Sequence, residues 1–226
     1  MYYLAILLGQ FIAVMFVITL HEFAHAFSAY KCGDPTPKFA GRLTLNPVKH
    51  FDLLGTLLFA VVGFGWAKPV PINPNNFKNY KKGCFWTAIS GILCNYITAF
   101  LFLPIYFLIA LYVLPSVSGT YMFPFLETLF YGIFLYSLSF CIFNLIPIYP
   151  LDGFRVLESS NLKKGKIYWF LRQNGQFILY GLIFIHFLSA RIPALGFIDI
   201  LGYILNFARN VFGKPIILFW SWIFGI

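Results

Sequence analysis

Residues 1–25 read MYYLAILLGQFIAVMFVITLHEFAH, an uncharged run from Met1 to Leu20 that ends on His21, Glu22 and His25. A helix of about 20 apolar residues crosses the hydrocarbon of a bilayer, so the run predicts a membrane-spanning helix. A secretory signal peptide is the competing reading, but no basic residues follow Met1 and the run meets ionisable residues instead of a small-residue cleavage site. In a helix, His21 and His25 stand about 6 Å and 40° apart, so both imidazoles can face one metal ion while Glu22 is turned off that edge. With four histidines in 226 residues, chance assembly of His-Glu-x-x-His is roughly one in a thousand. Histidines lining an interfacial face without a metal are the plainer account. Three ionisable groups on one membrane turn, however, call for a metal, water or charged partners to offset desolvation.

Composition agrees with a bilayer. Of 226 residues 60% are hydrophobic, 21% aromatic and 10% charged, against about 25% charged in an average soluble domain. The 16 Lys and Arg against 7 Asp and Glu give a formal charge of +9. In a soluble chain that excess would raise nucleic acid as a partner. Here eight bases fall between Lys31 and Lys82 and five between Arg155 and Arg172, so the charge reads as membrane orientation and no nucleic acid is expected. By the positive-inside rule both segments are cytoplasmic and the N-terminus is outside. Cys32, Cys84, Cys94 and Cys141 show no CxxC spacing and read as small buried hydrophobes, not disulfides or a thiolate metal site.

A second crossing is expected from about Gly83 to Leu114, and a turn around Pro115 to Gly119 leads into a third that continues to Leu151. Gln173 to Ala190 make a fourth, shorter candidate. Leu53 to Ala67 is too short to cross, and its glycines suggest a re-entrant or interfacial piece. The tail from Ile192 to Ile226 carries Asp199, Arg209 and Lys214 and fits either a fifth span with an interfacial end or two shallow segments. The expected fold is an all-α polytopic membrane protein of about 4 to 6 transmembrane helices with a re-entrant or β-hairpin loop on the cytoplasmic side. Residues 1–190 form its transmembrane core and 191–226 a C-terminal hydrophobic extension. The first and third spans run in the same direction, so their C-terminal ends meet the same membrane face.

A catalytic zinc takes three protein ligands and keeps a position for water. With Glu22 reserved as the base, Glu127 and Asp199 fall toward the opposite face, and Asp34 and Asp52 lie in the inner loop without a helix to hold them. Asp152 follows the third span directly and arrives at the depth of His21 and His25, so it is the expected third ligand. The same span ends in Asn144-Leu-Ile-Pro147-Ile-Tyr-Pro150-Leu151-Asp152-Gly153. Two prolines free backbone polar groups there, which a membrane tolerates where they face protein or a wet cavity. Asn144 could then hydrogen-bond a substrate backbone or a developing oxyanion, or make an interhelical hydrogen bond.

At these residues the chain resembles the site-2 protease family of intramembrane zinc metallopeptidases, in its compact bacterial form without appended domains. His21 to His25 matches the family's HExxH helix and Asn144 to Gly153 its NxxPxxxLDG segment. Gly41-Arg42-Leu43-Thr44-Leu45-Asn46-Pro47, His50, Asp52 and Gly65 to Pro74 agree as well. The resemblance implies that His21, His25 and Asp152 bind Zn2+, that Glu22 is the general base and that Asn144 assists. Ser90-Gly91-Ile92-Leu93-Cys94-Asn95 is similar to a further family pattern, with Ile92 where proline is usual. That departure is expected to touch helix shape and not the chemistry.

The expected activity is hydrolysis of peptide bonds within or near transmembrane segments of a membrane-protein substrate, at a site near the cytoplasmic face of the cell membrane. The substrate must unwind locally, and adding an extended strand to the loop at Leu43, Leu45 and Asn46 is the expected mode. Substrate choice rests with the membrane core or a regulatory membrane partner. Two rivals are a catalytically inactive scaffold of the same fold and a metal transporter. Intact His21, Glu22, His25 and Asp152 argue against the first, and ionisable residues gathered at one depth argue against the second. His186 reads as a buried or interfacial histidine. His50 with Asp52 fits either a pair supporting the site or a solvated loop.

Overall fold

The computed structural model describes residues 1–52, 54–55, 67–160 and 164–226. Among the described residues seven longer helices order the chain: α1 (Tyr2–Cys32), α2 (Tyr80–Leu108), α3 (Met122–Leu145), α4 (Asp152–Ser159), α5 (Lys166–Ser189), α6 (Ile200–Ala208) and α7 (Lys214–Phe224). No strand occurs among the described residues, and one antiparallel bridge joins Phe51 to Ala67. Of the piece expected to re-enter, Leu53 and residues 56–66 lie outside the described residues. The chain is an all-α polytopic membrane protein. Three of its helical stretches, Tyr2–Cys32, Tyr80–Val117 and Met122–Leu145, are long and apolar enough to cross a bilayer.

These three pack on one another. Gly9 on α1 lies against Thr128 and Phe125 on α3, and Ala13 faces Gly132 one turn further on. Contacts rising together in both helices make α1 and α3 parallel. His21 meets Asn95 while His25 meets Thr87, so α2 runs antiparallel to α1. Within lipid there is no water to expel between helices, and small residues earn their place by letting backbones approach. A Cβ at Gly9 would stand 2.7 Å from Phe125 O. The outward faces stay apolar: Leu93, Ile97, Leu101, Ile105 and Leu108 form an exposed stripe along α2, as lipid requires.

The helix boundaries differ from the expected ones where glycine and proline decide them. α1 continues past the HExxH motif to Cys32 and stops at Gly33, whose φ of 112° closes the turn onto Ala29 O and Tyr30 O. α3 stops at Leu145, not Leu151, because Pro147 pushes Ile146 into extended backbone (φ −63°, ψ 126°). The chain then turns back to begin α4 at Asp152. Gly153 permits this return, since a Cβ there would lie 2.4 Å from Leu145 O. α4 is locked by Phe154, fully buried and stacked on Tyr168 at 5.4 Å, and by Glu158, which accepts from Tyr168 Oη at 2.7 Å and pairs with Arg172.

α5 takes in the residues of the fourth expected crossing and begins earlier, at Lys166, but is not among the three stretches long and apolar enough to cross. The tail forms a short 3-10 helix (Pro193–Ile198), then α6, a π turn (Arg209–Gly213) and α7. His186 and Ser189 on α5 hold Asp199, at 2.9 Å and 2.8 Å, and Asp199 caps α6 by accepting Gly202 N–H at 2.8 Å. Ile216 of α7 completes a core with Ala99 and Leu103 of α2 and Phe134, Leu138 and Ile142 of α3.

Candidate active site

Three segments meet at the site: the later turns of α1, the first half of α2 and the N-terminus of α4. His21 and His25, one turn apart, bring their Nε2 atoms within 3.0 Å of each other. Asp152 Oδ2 lies 3.2 Å from His21 Nε2 and 3.0 Å from His25 Nε2. All three side chains are buried. Donors bound at about 2.0 Å to a tetrahedral metal are spaced by about 3.3 Å. Two imidazoles and one carboxylate at 3.0 to 3.2 Å therefore fit a zinc ion, and a three-donor set is the pattern that leaves a position for water. Asp152 opens α4, where the helix dipole favours its negative charge.

α2 approaches the two rings closely because Gly91 has no side chain. A Cβ there would stand 2.5 Å from His25 Nε2 and 2.6 Å from His21 Cε1. One turn earlier, Thr87 O accepts His25 Nδ1–H at 2.7 Å; one turn later, the Asn95 side-chain amide lies 3.0 Å from His21 Nδ1. The segment Ser90 to Asn95, read from the sequence only as similar to a family pattern, thus lies directly on the candidate ligands through Gly91 and Asn95. Its signal is in the sequence: Thr87, Gly91 and Asn95 recur every four residues, two of them polar within an apolar span.

Glu22 is half-buried and stays outside the donor cluster. Its Oε2 accepts the N–H of Val70 at 3.0 Å. Val70 belongs to a segment anchored by Lys68 N–H on His50 O at 3.0 Å and by the Arg42 guanidinium on Lys68 O. Arg42 is buried, which lowers its pKa, and the nearby Glu22 carboxylate counters by favouring its charge. Backbone partners of this kind leave no trace in residue type, so the link from Glu22 to Val70 has no sequence signal.

The remaining candidates fall elsewhere. Asn144 donates its Nδ2–H to Phe140 O at 3.1 Å, within its own helix and not across helices, and takes no part in the donor cluster. In the loop expected to receive an extended substrate strand, Leu43 and Thr44 form a bend, and Leu45 and Asn46 are exposed. Asn46 Oδ1 accepts Val48 N–H at 3.1 Å and caps the short helix Pro47–Lys49. His50 is not solvated: it is fully buried, with Nε2 2.8 Å from Thr44 O. Asp34 is buried among its own donors, and Asp52 accepts Gly55 N–H at 2.9 Å. Among the described residues, His21, His25 and Asp152 are the one group of three His, Cys, Asp or Glu side chains placed to hold a metal.

The chain is 41% identical over 163 residues to a Bacillus subtilis protein named "Putative zinc metalloprotease YwhC", a match covering 70% of this chain and 72% of that relative. It belongs to the site-2 protease family. A second relative, "Putative zinc metalloprotease Rip2" of Mycolicibacterium smegmatis, is 28% identical over 163 residues, covering 66% of this chain and 58% of the relative. No family model and no solved structure matches the chain. A buried two-histidine, one-carboxylate cluster with a glutamate beside the first histidine is consistent with membership of this family of zinc metallopeptidases.

Proposed function

We propose that this chain is a zinc endopeptidase that cuts peptide bonds within or beside transmembrane segments of other membrane proteins, from a site near the cytoplasmic face of the cell membrane. One observation carries the reading: His21, His25 and Asp152 gather their donor atoms in a buried cluster inside a bundle of apolar helices, with Glu22 on the adjoining helix position. Zinc held by these three side chains supplies a Lewis acid that polarises the scissile carbonyl and lowers the pKa of water toward about 7.

The protein's own residues do the rest. Glu22 Oε2 is engaged by Val70 N–H, so Oε1 is the atom that takes the proton of the attacking water and returns it to the leaving amine. Buried Arg42 stands near the Glu22 carboxylate and offers it a positive partner beside Val70 N–H. Asp152, held by α4 against α2, fixes the depth at which a substrate carbonyl must arrive. A transmembrane substrate hides its carbonyls in helical hydrogen bonds and must unwind before it can react. The exposed Leu45 and Asn46, on the loop that His50 pins, are the surface proposed to receive the unwound segment. The names of the two relatives support a metalloprotease. Bases flanking α1 and α2 at this end, Lys31, Lys38, Lys78, Lys81 and Lys82, support a cytoplasmic site.

The test uses purified full-length protein and a single-helix membrane reporter tagged on both sides. Glu22→Gln is expected to bind zinc like the wild type and to cleave about 10²- to 10⁴-fold more slowly. Cleavage by that variant at the wild-type rate would overturn the assignment of the base. Wild-type protein that carries no zinc would overturn the reading as a whole.

A further inference from the structure

Thr87, Gly91 and Asn95 form a single stripe along α2, and the stripe lies against both candidate zinc-binding imidazoles. The ring tautomers follow from what each Nδ1 meets. Thr87 O can only accept, so His25 Nδ1 carries the ring proton and Nε2 presents its lone pair toward His21 and Asp152. Among the described residues no backbone carbonyl serves His21 in this way. Its Nδ1 lies 3.0 Å from the side-chain amide of Asn95, which is fully buried. In the placed orientation Asn95 Nδ2 faces the ring and Oδ1 is buried without a partner. A half-turn of the amide exchanges two atoms of nearly equal shape. Either orientation leaves one amide atom unpaired among the described residues, but only the turned one allows both rings to keep Nε2 free for a metal.

We propose that Asn95 is a positioning residue of the metal centre: its Oδ1 accepts the Nδ1–H of His21 and so commits His21 Nε2 to the metal, as Thr87 O does for His25. Gly91 is the third part of this device. Its missing Cβ lets α2 come near enough for both hydrogen bonds to form. Asn95 touches neither metal nor substrate and acts through His21 alone. The inference rests on the zinc site proposed above and extends it to the groups that aim its ligands.

The test measures zinc affinity of the full-length protein in detergent by competition with a chelator, with Co2+ absorption as a spectroscopic readout of donor geometry. Asn95→Leu and Asn95→Ala, which remove the acceptor, are expected to weaken zinc binding by about 10- to 100-fold and to alter the cobalt spectrum. Asn95→Asp keeps an acceptor in place and is expected to stay within about threefold of the wild type. Thr98→Val is the control, since Thr98 is buried on the same helix but bonded to Cys94 O at 2.8 Å. Zinc bound equally well by the wild type and by a folded Asn95→Ala would overturn this inference alone. So would equal losses in Asn95→Ala and Thr98→Val, which would mark a packing effect. Absence of zinc from the wild type would instead overturn the metal site itself.

Discussion

Asp34 is fully buried, yet it accepts four hydrogen bonds: Oδ1 from Thr36 N–H at 3.0 Å, Thr36 Oγ1–H at 2.6 Å and Asn76 Nδ2–H at 2.8 Å, and Oδ2 from Asn73 N–H at 2.7 Å. Burial works against its charge, but the bonds from Thr36, Asn76 and Asn73 outweigh burial and hold its pKa below the usual carboxylate value. The carboxylate therefore joins the end of α1 to the turn that feeds α2, and it steadies the segment that carries Val70 to Glu22. Asn in its place would turn an amide N–H toward donors, so Asp34→Asn is expected to cost about 1–3 kcal/mol at neutral pH. The sign of the pH dependence follows from the depressed pKa. The stabilisation is fully present above the unfolded pKa of about 4 and is lost as pH falls through the lower folded pKa. Thermal unfolding of both proteins in detergent checks this. The gap between them should hold steady from about pH 7 to pH 5 and narrow below about pH 4; a gap independent of pH would mean that the charge of Asp34 contributes nothing.

At the scale of elements, α2 shows how a membrane helix accommodates an internal proline. Pro104 has no N–H to donate, so the carbonyl of Phe100, four residues back, loses its helical partner. Trp220 of α7 supplies one: its Nε1–H donates to Phe100 O at 2.9 Å. This bond, with Ile216 in the shared core, ties the C-terminal segment to the helix that carries Thr87, Gly91 and Asn95. Trp220→Phe keeps an aromatic ring and leaves a carbonyl unpaired in an apolar setting. A loss of about 1–3 kcal/mol is expected, read as a lower unfolding midpoint in detergent, while zinc binding is retained. An unchanged midpoint would show that water reaches the carbonyl. Pro104 and Trp220 also mark the boundary of what the sequence could show. The three long apolar helices, the HExxH turn and the break at Pro147 were legible because they depend on hydropathy and on residues that break helices. Bonds from one helix to another were not, because a freed carbonyl is a property of the backbone. The partner of Asn144 was not legible for a different reason: in lipid its amide found an acceptor on its own helix, Phe140 O, as Thr19, Thr98, Thr128 and Ser139 do with Met15, Cys94, Pro124 and Leu135.

Across the whole molecule the polarity is arranged inside out, with lipid-facing leucines and isoleucines around a polar middle that includes His21, His25, Thr87, Asn95 and Asp152. Parallel α1 and α3 explain how this middle is assembled from distant sequence. Running the same way, they deliver the histidines and the Asp152 turn to one depth, across 127 residues of chain. A metal shared between α1 and α4 would then link the first helix to the turn after the third. Without it, a carboxylate and two imidazoles stay buried together with no ion to offset their desolvation. Zinc removal should therefore destabilise the fold as well as stop turnover. A ligand present at a hundredfold above its Kd and bound only by the folded state contributes about 2.7 kcal/mol. Chelation of the wild-type protein is expected to lower its unfolding midpoint by several degrees, and added zinc to restore it. Asp152→Asn should start from a low midpoint and respond to neither chelator nor zinc. If both proteins gave the same midpoint with and without chelator, the three donors would not hold a metal that matters to the fold, and the link between α1 and α4 would have to come from the hydrogen bonds of Asp152 with the histidines and from packing on α2 and α3.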